Sequence, residues 1–108
     1  MDLKYNINKI HGDLLNNFET VSIKEKSNLK FGNYFEISST NEGFEVKMIL
    51  TKKDIELSNI KWSYFSNPLN ENSDLVERTS NIDNITNDIK DIISKKRFDS
   101  EYLSEINK

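Results

Sequence analysis

The fold is decided by residues 29–50, which read LKFGNYFEISSTNEGFEVKMIL. Apolar and polar residues alternate on both sides of the short polar segment 41–43. A period of two is typical of strands that bury one face, and the glycine in the segment between them can adopt the positive φ of a tight turn. These residues therefore predict an antiparallel β-hairpin. The apolar face of its first strand is expected to carry Leu29, Phe31, Phe35 and Ile37.

Three further segments with strand character flank this hairpin. Residues 60–65 are the clearest of them, because their aromatic run ends at an Asn-Pro pair and proline has no N–H to extend a ladder. Residues 20–25 and 75–79 are weaker candidates. The polar segment 67–74 is rich in turn residues and is expected to be the most mobile part of the chain. The sequence therefore predicts an antiparallel meander of about four strands.

Helical spacing of apolar residues appears before and after the strands. A first helix over about residues 3–17 is predicted by an apolar face consisting of Leu3, Ile7, Ile10, Leu14 and Phe18. A second, long helix is predicted by a stripe of isoleucines within residues 82–93. Ser80 is its expected N-cap, with Asp83 three residues later in the capping-box position.

A final short helix is expected from about Asp99, with an apolar side that buries Tyr102, Leu103 and Ile106. The predicted fold class is α+β. It comprises an N-terminal helix, an antiparallel β-meander of about four strands, and then one long and one short C-terminal helix packed on one sheet face. Residues 1–108 are expected to form a single small domain.

Composition excludes several classes of function. The chain has 108 residues, 35% of them hydrophobic, and no cysteine, so thiol catalysis, disulfide frameworks and cysteine-based zinc sites are excluded. Its formal net charge of -3 is evenly mixed, which does not favour nucleic acid or anionic lipid. No apolar run could span a bilayer and the start does not resemble a signal peptide, so a soluble cytoplasmic protein is expected. A bias toward Asn, Ile and Lys indicates an AT-rich genome, such as that of a bacterium, phage or parasite.

Few residues suggest catalysis or metal binding. His11 is the only histidine and is most simply a surface or helix-flank residue. The loop residues Asn70, Asn72 and Asp74 have the spacing of calcium ligands, but the position that needs glycine holds Leu75. We therefore expect a protein that is not an enzyme and that uses no cofactor and no metal.

The leading hypothesis is a small non-enzymatic protein–protein interaction module, such as an assembly component, adaptor, chaperone-like factor or inhibitor. A sheet covered by helices on one side leaves its other face for solvent or a partner. The predicted contact residues are Trp62, Tyr64, Tyr34 and Phe65. The simplest partner is a second copy of the chain, bound as a homodimer through this aromatic face or a strand edge. The alternative for Trp62 is a place in the core with its indole N–H hydrogen-bonded.

A second hypothesis is a nucleic-acid-binding accessory protein that combines stacked aromatic residues with a local basic patch. Its predicted contacts are Lys61, Lys90, Lys95, Lys96 and Arg97. The net charge makes nucleic acid the less favoured partner, and no membrane partner is expected.

Overall fold

The computed structural model describes residues 3–106, which form two helices and a five-stranded antiparallel sheet. The elements are α1 (Leu3–Leu15), β1 (Thr20–Asn28), β2 (Gly32–Asn41), β3 (Phe44–Thr51), β4 (Asn59–Phe65), β5 (Leu75–Asn81) and α2 (Ile85–Ile106). Short 3₁₀ turns at Asp54–Glu56 and Ile82–Asn84 lead into β4 and α2. The predicted α+β class and antiparallel sheet are confirmed, but the sheet has five strands where about four were predicted.

The strands follow one another across the sheet in chain order, and each is antiparallel to its neighbour. The outermost strands are β1 and β5, the two whose sequence patterns were weakest. An edge strand has only one neighbour and tends to carry polar and charged residues, which discourage pairing with other chains. This explains why the alternation in β1 and β5 is less regular than in β2 and β3.

The turn between β2 and β3 has the geometry that the hairpin prediction required. Asn41 pairs with Phe44, which leaves Glu42 and Gly43 as a two-residue turn. Their φ angles are 54° and 84°. Positive φ at both central residues is characteristic of a type I′ turn, whose twist matches that of the flanking strands. Glycine adopts this conformation without steric cost, whereas glutamate does so less readily.

The first strand of the hairpin begins later than predicted. It starts at Gly32, which has a φ of 67°. Leu29 and Phe31 lie in the preceding turn, where Oδ1 of Asn28 accepts a 2.7 Å hydrogen bond from the backbone N–H of Phe31. Leu29 is fully exposed, and Phe31 packs on the sheet face opposite that of Phe35. The prediction that Leu29 and Phe31 share the face of Phe35 is therefore wrong, because the positive φ at Gly32 interrupts the alternation.

Both helices cover one face of the sheet and form the main core with it. Its most deeply buried side chains include Ile10 and Leu14 of α1, Ile37, Met48, Leu50 and Ile60 of the strands, and Ile85 and Ile89 of α2. Nδ2 of the buried Asn6 donates a 2.6 Å hydrogen bond to the carbonyl of Ile55, which fixes α1 to the 3₁₀ turn before β4. No helix within residues 3–106 covers the opposite face of the sheet, and we call it the open face.

α2 differs from its prediction in its cap, its continuity and the exposure of its C-terminal end. The 3₁₀ turn that leads into it is capped by Asn81, whose Oδ1 accepts a 3.0 Å hydrogen bond from the N–H of Asp83. Ser80, the predicted cap, lies in β5 and is buried. The helix then continues without a break, where one long and one short helix were predicted. Tyr102 and Leu103, predicted to be buried, are exposed, and the side chain of Ile106 lies outside those that the structure describes.

A candidate binding cavity on the open face of the sheet

The open face carries a second, smaller apolar cluster. Its centre consists of Tyr34, Ile49 and Phe65, which are 7%, 4% and 8% exposed. They are covered by Phe31 from the β1–β2 turn and by Leu75 from the start of β5. Phe31 and Tyr34 pack edge to face with ring centroids 5.5 Å apart. These five residues form an aromatic and aliphatic floor on a sheet face without helices.

Two segments of the chain extend over this floor from opposite ends of the sheet. One is the β1–β2 turn, and the other is the β4–β5 loop of residues 66–74. The loop is held by its own hydrogen bonds. The N–H of Ser66 donates to the carbonyl of Asp74 at 2.8 Å, and the N–H of Asn67 donates to Oγ of Ser73 at 3.1 Å. These bonds give the loop a defined conformation beside the floor.

Between the turn and the loop lies an open cavity of about 650 Å³. It is lined by Lys26, Asn28, Lys30, Phe31, Tyr34, Glu36, Ile49, Phe65, Glu71, Asn72, Ser73, Asp74 and Leu75. Ligand-binding clefts typically have volumes of roughly 300–1,000 Å³. Most of the accessible surface of this lining is polar, and the floor adds a smaller apolar part, so the cavity suits a charged or polar ligand that carries a small apolar group.

An ion pair forms part of the cavity lining. Nζ of Lys26 is 2.9 Å from Oε2 of Glu36, and the side chain of Glu36 is only 10% exposed. The hydrogen bond to Glu36 raises the pKa of the Lys26 ammonium and outweighs the opposing effect of its partial burial. Lys26 therefore stays charged at neutral pH, and the two groups compensate each other.

The remaining charged groups of the cavity leave an excess of negative charge. Nζ of Lys30 lies 5.2 Å from the centroid of the Phe31 ring, a cation–π contact. Glu71 and Asp74 lie on the loop side of the cavity and are exposed. No cation among residues 3–106 lies within ion-pair distance of either carboxylate. The loop wall is thus the part of the cavity that would attract a cation.

Trp62, the first of the predicted contact residues, lies in the main core. It is 1% exposed, and its Nε1 donates a 2.9 Å hydrogen bond to Oγ of Ser80. This placement corrects the prediction of an exposed contact and matches the alternative of a hydrogen-bonded core indole. Its side chain has no free surface with which to contact a partner, because it faces the helices.

The other predicted contact residues lie on two different faces. Tyr34 and Phe65 belong to the cavity floor. Tyr64 is half-buried on the helix side, where its ring centroid is 5.8 Å from that of Trp62. It lines a smaller cavity of about 380 Å³ between β4, β5 and α2. The four residues therefore do not form one surface, because neighbours along a strand point to opposite faces.

The five basic residues of the nucleic-acid hypothesis are divided between the two sides of the sheet. Lys61 lies on the open face, with its Nζ 3.5 Å from Oε1 of Glu77. The others lie on α2, where Lys90 donates to Oδ1 of Asn17 at 2.6 Å, Lys96 donates to the carbonyl of Glu45 at 3.0 Å, and Arg97 pairs with Glu42. Lys95 makes no hydrogen bond or ion pair with the residues that the structure describes. Most of this charge is thus already engaged within the chain.

The remaining candidate residues do not form a second centre. His11 is half-buried in α1. The side chain of Asn70 accepts a 2.9 Å hydrogen bond from the N–H of Asn72, so it shapes the loop itself. Between residues 3 and 106 no three His, Cys, Asp or Glu side chains are arranged to hold a metal ion. Nor does this part of the chain contain a helix long and apolar enough to cross a membrane.

Comparisons of this chain with protein families, curated protein sequences and solved structures find no significant match. No relative therefore supplies a ligand, a partner or a site residue. The geometry and charge of the open-face cavity are the basis for the function proposed below.

Sequence patterns identified part of this cavity and missed the rest. Tyr34 and Phe65 were predicted as contact residues because they are aromatic residues of predicted strands. Lys26, Glu36 and Phe31 were not predicted as contact residues. Glu36 alternates with the core residues of β2, a pattern that places it on the open face. Its pairing with Lys26 depends on the register across the β1–β2 turn, which the alternation does not determine.

Proposed function

We propose that this chain is a protein–protein interaction module that binds an extended segment of a partner protein in the open-face cavity. The observation that supports the proposal is the walled cavity, in which a largely buried aromatic and aliphatic floor lies beside two carboxylates, those of Glu71 and Asp74, that form no ion pair with residues 3–106. Concave sites that combine charged and apolar groups favour binding, because the charges supply orientation and the apolar groups add contact. The proposed role is binding without a chemical reaction.

The titratable pair of Lys26 and Glu36 in the cavity lining favours binding over catalysis. A general base or acid works best when its pKa lies near the working pH. The hydrogen bond to Glu36 instead moves the pKa of Lys26 upward, further from neutrality. The ammonium of Lys26 also occupies Oε2 of the Glu36 carboxylate. The pair therefore links β1 to β2 at the floor, and Lys26 keeps its proton at neutral pH.

The charges around the floor favour a basic side chain as the occupant. A lysine or arginine next to an apolar residue can lay its aliphatic stem against Phe31, the half-buried ring that packs on the floor. Its cation then reaches Glu71 and Asp74 on the loop, the two carboxylates that have no ion pair within the described chain. In an extended segment every second side chain points the same way, so an apolar and a basic residue two positions apart can enter together.

The test is a titration of the ¹⁵N-labelled chain with two capped tripeptides, followed by NMR. One contains leucine, glycine and arginine, and the other contains citrulline in place of arginine, which keeps the shape but removes the charge. The arginine peptide is expected to shift the amide signals of Tyr34, Glu36 and Glu71. The citrulline peptide is expected to bind about fivefold more weakly, which corresponds to ~1 kcal/mol from partly exposed ion pairs.

Two double variants with the same change in charge make the test specific. Glu71→Gln with Asp74→Asn removes the loop carboxylates and is expected to weaken binding of the arginine peptide to the level of the citrulline peptide. Glu19→Gln with Glu56→Gln removes two exposed carboxylates that do not line the cavity, and binding should be unchanged. Equal losses in both variants, or shifts outside the cavity, would overturn the proposal. Salt-sensitive shifts along α2 with a single-stranded oligonucleotide would favour nucleic acid instead.

A further inference from the structure

The final turns of α2 carry apolar side chains that no other element of residues 3–106 covers. From residue 97 to residue 105 every side chain is exposed. Phe98 and Tyr102 are 67% and 56% exposed, and their rings stack with centroids 6.5 Å apart and an angle of 10° between the planes. Leu103, the next residue after Tyr102, is also exposed. This surface lies on α2, apart from the open-face cavity.

These aromatic residues belong to a seam along one side of the helix. Lys95, Phe98, Tyr102 and Glu105 follow one another in steps of three, four and three residues, the spacing of core positions in a coiled coil. A small groove of about 130 Å³ on this side is lined by Phe98, Glu101, Tyr102 and Glu105. Four residues at positions i, i+3, i+4 and i+7 form the hole that receives a side chain from a facing helix. The seam therefore has the shape of a helix-docking surface.

The seam is complementary to a reversed copy of itself. The pairs Phe98–Tyr102 and Lys95–Glu105 are both centred on Ser100. A twofold axis beside Ser100 would therefore place Phe98 of each copy against Tyr102 of the other, and Lys95 against Glu105. Neither Lys95 nor Glu105 makes an ion pair with another residue of the described chain. A parallel arrangement would instead place like charges opposite each other.

We propose that a second copy of this chain docks antiparallel on the seam of α2 and forms a twofold-symmetric dimer. Such an interface uses the same patch on both copies, which requires the self-complementarity just described. The seam spans about three helical turns, so it buries less than the roughly 1,200 Å² of a stable complex. The dimer is therefore expected to be weak and to depend on protein concentration. It does not involve the open-face cavity, so it stands or fails separately from the proposed function.

Sedimentation velocity of the full chain from micromolar to millimolar concentration tests the dimer. The wild type is expected to pass from monomer to dimer, whereas Phe98→Ser with Tyr102→Ser should remain monomeric. Both side chains are exposed, so circular dichroism should show an unchanged fold. Leu29→Ser with Leu69→Ser alters two other exposed apolar residues and should still dimerise. A wild type that stays monomeric throughout, or a dimer that survives the Phe98 and Tyr102 changes, overturns the proposal.

A charge exchange tests the antiparallel orientation. Lys95→Glu and Glu105→Lys are each expected to weaken the dimer several-fold at low salt, because each places like charges opposite one another. The double variant restores opposite charges and should return to the wild-type dissociation constant. In a parallel dimer the wild type and all three variants would place like charges opposite one another, so the single variants would not weaken the dimer. Single variants that dimerise as tightly as the wild type, or a double variant that does not recover, therefore reject the antiparallel seam even if a dimer forms.

Discussion

Nε1 of Trp62 donates a 2.9 Å hydrogen bond to Oγ of Ser80, and this hydroxyl in turn donates to Oδ2 of Asp88. The three residues lie in β4, β5 and α2, so two consecutive hydrogen bonds link the sheet to the long helix. Arg78 of β5 lies 3.6 Å from the other carboxylate oxygen of Asp88. The first of these hydrogen bonds satisfies the indole N–H of Trp62, the largest of the fully buried side chains. An unpaired indole N–H at this place would cost free energy of folding.

Substitutions of Trp62 and Ser80 are expected to lower stability by different amounts. Trp62→Ala leaves a cavity in the core and should reduce the free energy of unfolding by ~3–5 kcal/mol. Ser80→Ala removes the acceptor of the indole N–H and should cost ~1–3 kcal/mol. Urea denaturation should be followed by circular dichroism, because Trp62 is the only tryptophan and its fluorescence is lost in the first variant. A Trp62→Ala variant as stable as the wild type would place Trp62 outside the core.

The correct and incorrect parts of the fold prediction have different physical origins. The β2–β3 hairpin was predictable because alternation and a turn glycine act over a short stretch of chain. Ser80 was misassigned as a helix cap because serine suits caps well, whereas its bond to Trp62 bridges 18 residues and depends on strand pairing. Tyr102 and Leu103 were expected to be buried because helical spacing identifies an apolar face. That spacing does not show whether another element covers the face.

The candidate cavity was less predictable than the fold. An aromatic residue of a strand, such as Tyr34, is visible in the sequence as soon as the strand is identified. The ion pair of Lys26 with Glu36 is not, because the three-residue turn at 29–31 determines which residues of β1 and β2 become neighbours. The fold of loop 66–74 beside the floor depends on bonds within the loop and contacts with the sheet. No local pattern encodes such contacts.

The ion pair between Lys26 and Glu36 is expected to lose its contribution to stability at alkaline pH. Its hydrogen bond raises the pKa of Lys26 in the folded state. The stabilisation is therefore fully present below the unfolded-state pKa and is lost as pH rises through the higher folded-state value. Lys26→Met should lower the free energy of unfolding at neutral pH by less than ~1 kcal/mol, since solvent screens the partly exposed pair. The difference should shrink above pH ~10.4, the ordinary lysine value.

Urea denaturation of the wild type and Lys26→Met at neutral and alkaline pH measures this change. Lys53→Met is the matched control, because Lys53 is exposed and has no ion pair among the described residues. The difference in free energy of unfolding between Lys53→Met and the wild type should not depend on pH. A Lys26→Met difference that is the same at both pH values would contradict the prediction.

The contribution of Lys96 to the free energy of unfolding is expected to depend on pH in the opposite direction. Burial lowers its pKa, and the charge of Glu45 offsets this only in part. At pH values between the lowered pKa of the folded state and the ordinary pKa of the unfolded state, Lys96 is more often protonated in the unfolded chain. The free energy of unfolding therefore rises with pH in this range. Lys96→Met keeps the aliphatic stem without the charge and should stabilise the protein at neutral pH by less than ~1 kcal/mol, a gain that disappears in alkali. A less stable variant would mean that the 3.0 Å bond to the Glu45 carbonyl outweighs the cost of burial.

Replacing Glu42 in the β2–β3 turn by asparagine is expected to increase the stability of the protein. Asparagine tolerates a positive φ better than glutamate, and Asn-Gly is a preferred pair in type I′ turns. The change also removes the ion pair with Arg97, which is exposed and worth ~0–1 kcal/mol. We expect a net gain of ~0.5 kcal/mol, measured by thermal unfolding. Arg97→Gln removes the same ion pair without changing the turn. Glu42→Asn should be more stable than this variant, and the reverse order would contradict the turn argument.

Gly12 and Gly43 are expected to respond to alanine in opposite directions. Apart from the local backbone and the adjacent residues, neither position has a heavy atom within 4 Å of where the added Cβ would lie, so packing does not distinguish them. Gly12 lies inside α1, where alanine is favoured over glycine by ~1 kcal/mol, and Gly12→Ala should raise the melting temperature. Gly43 has a φ of 84°, a left-handed conformation that costs an alanine ~1–2 kcal/mol, and Gly43→Ala should lower it. Because both sites have room for a methyl group, the two shifts report backbone preference alone. A lower melting temperature for Gly12→Ala would show that residue 12 is not helical in solution.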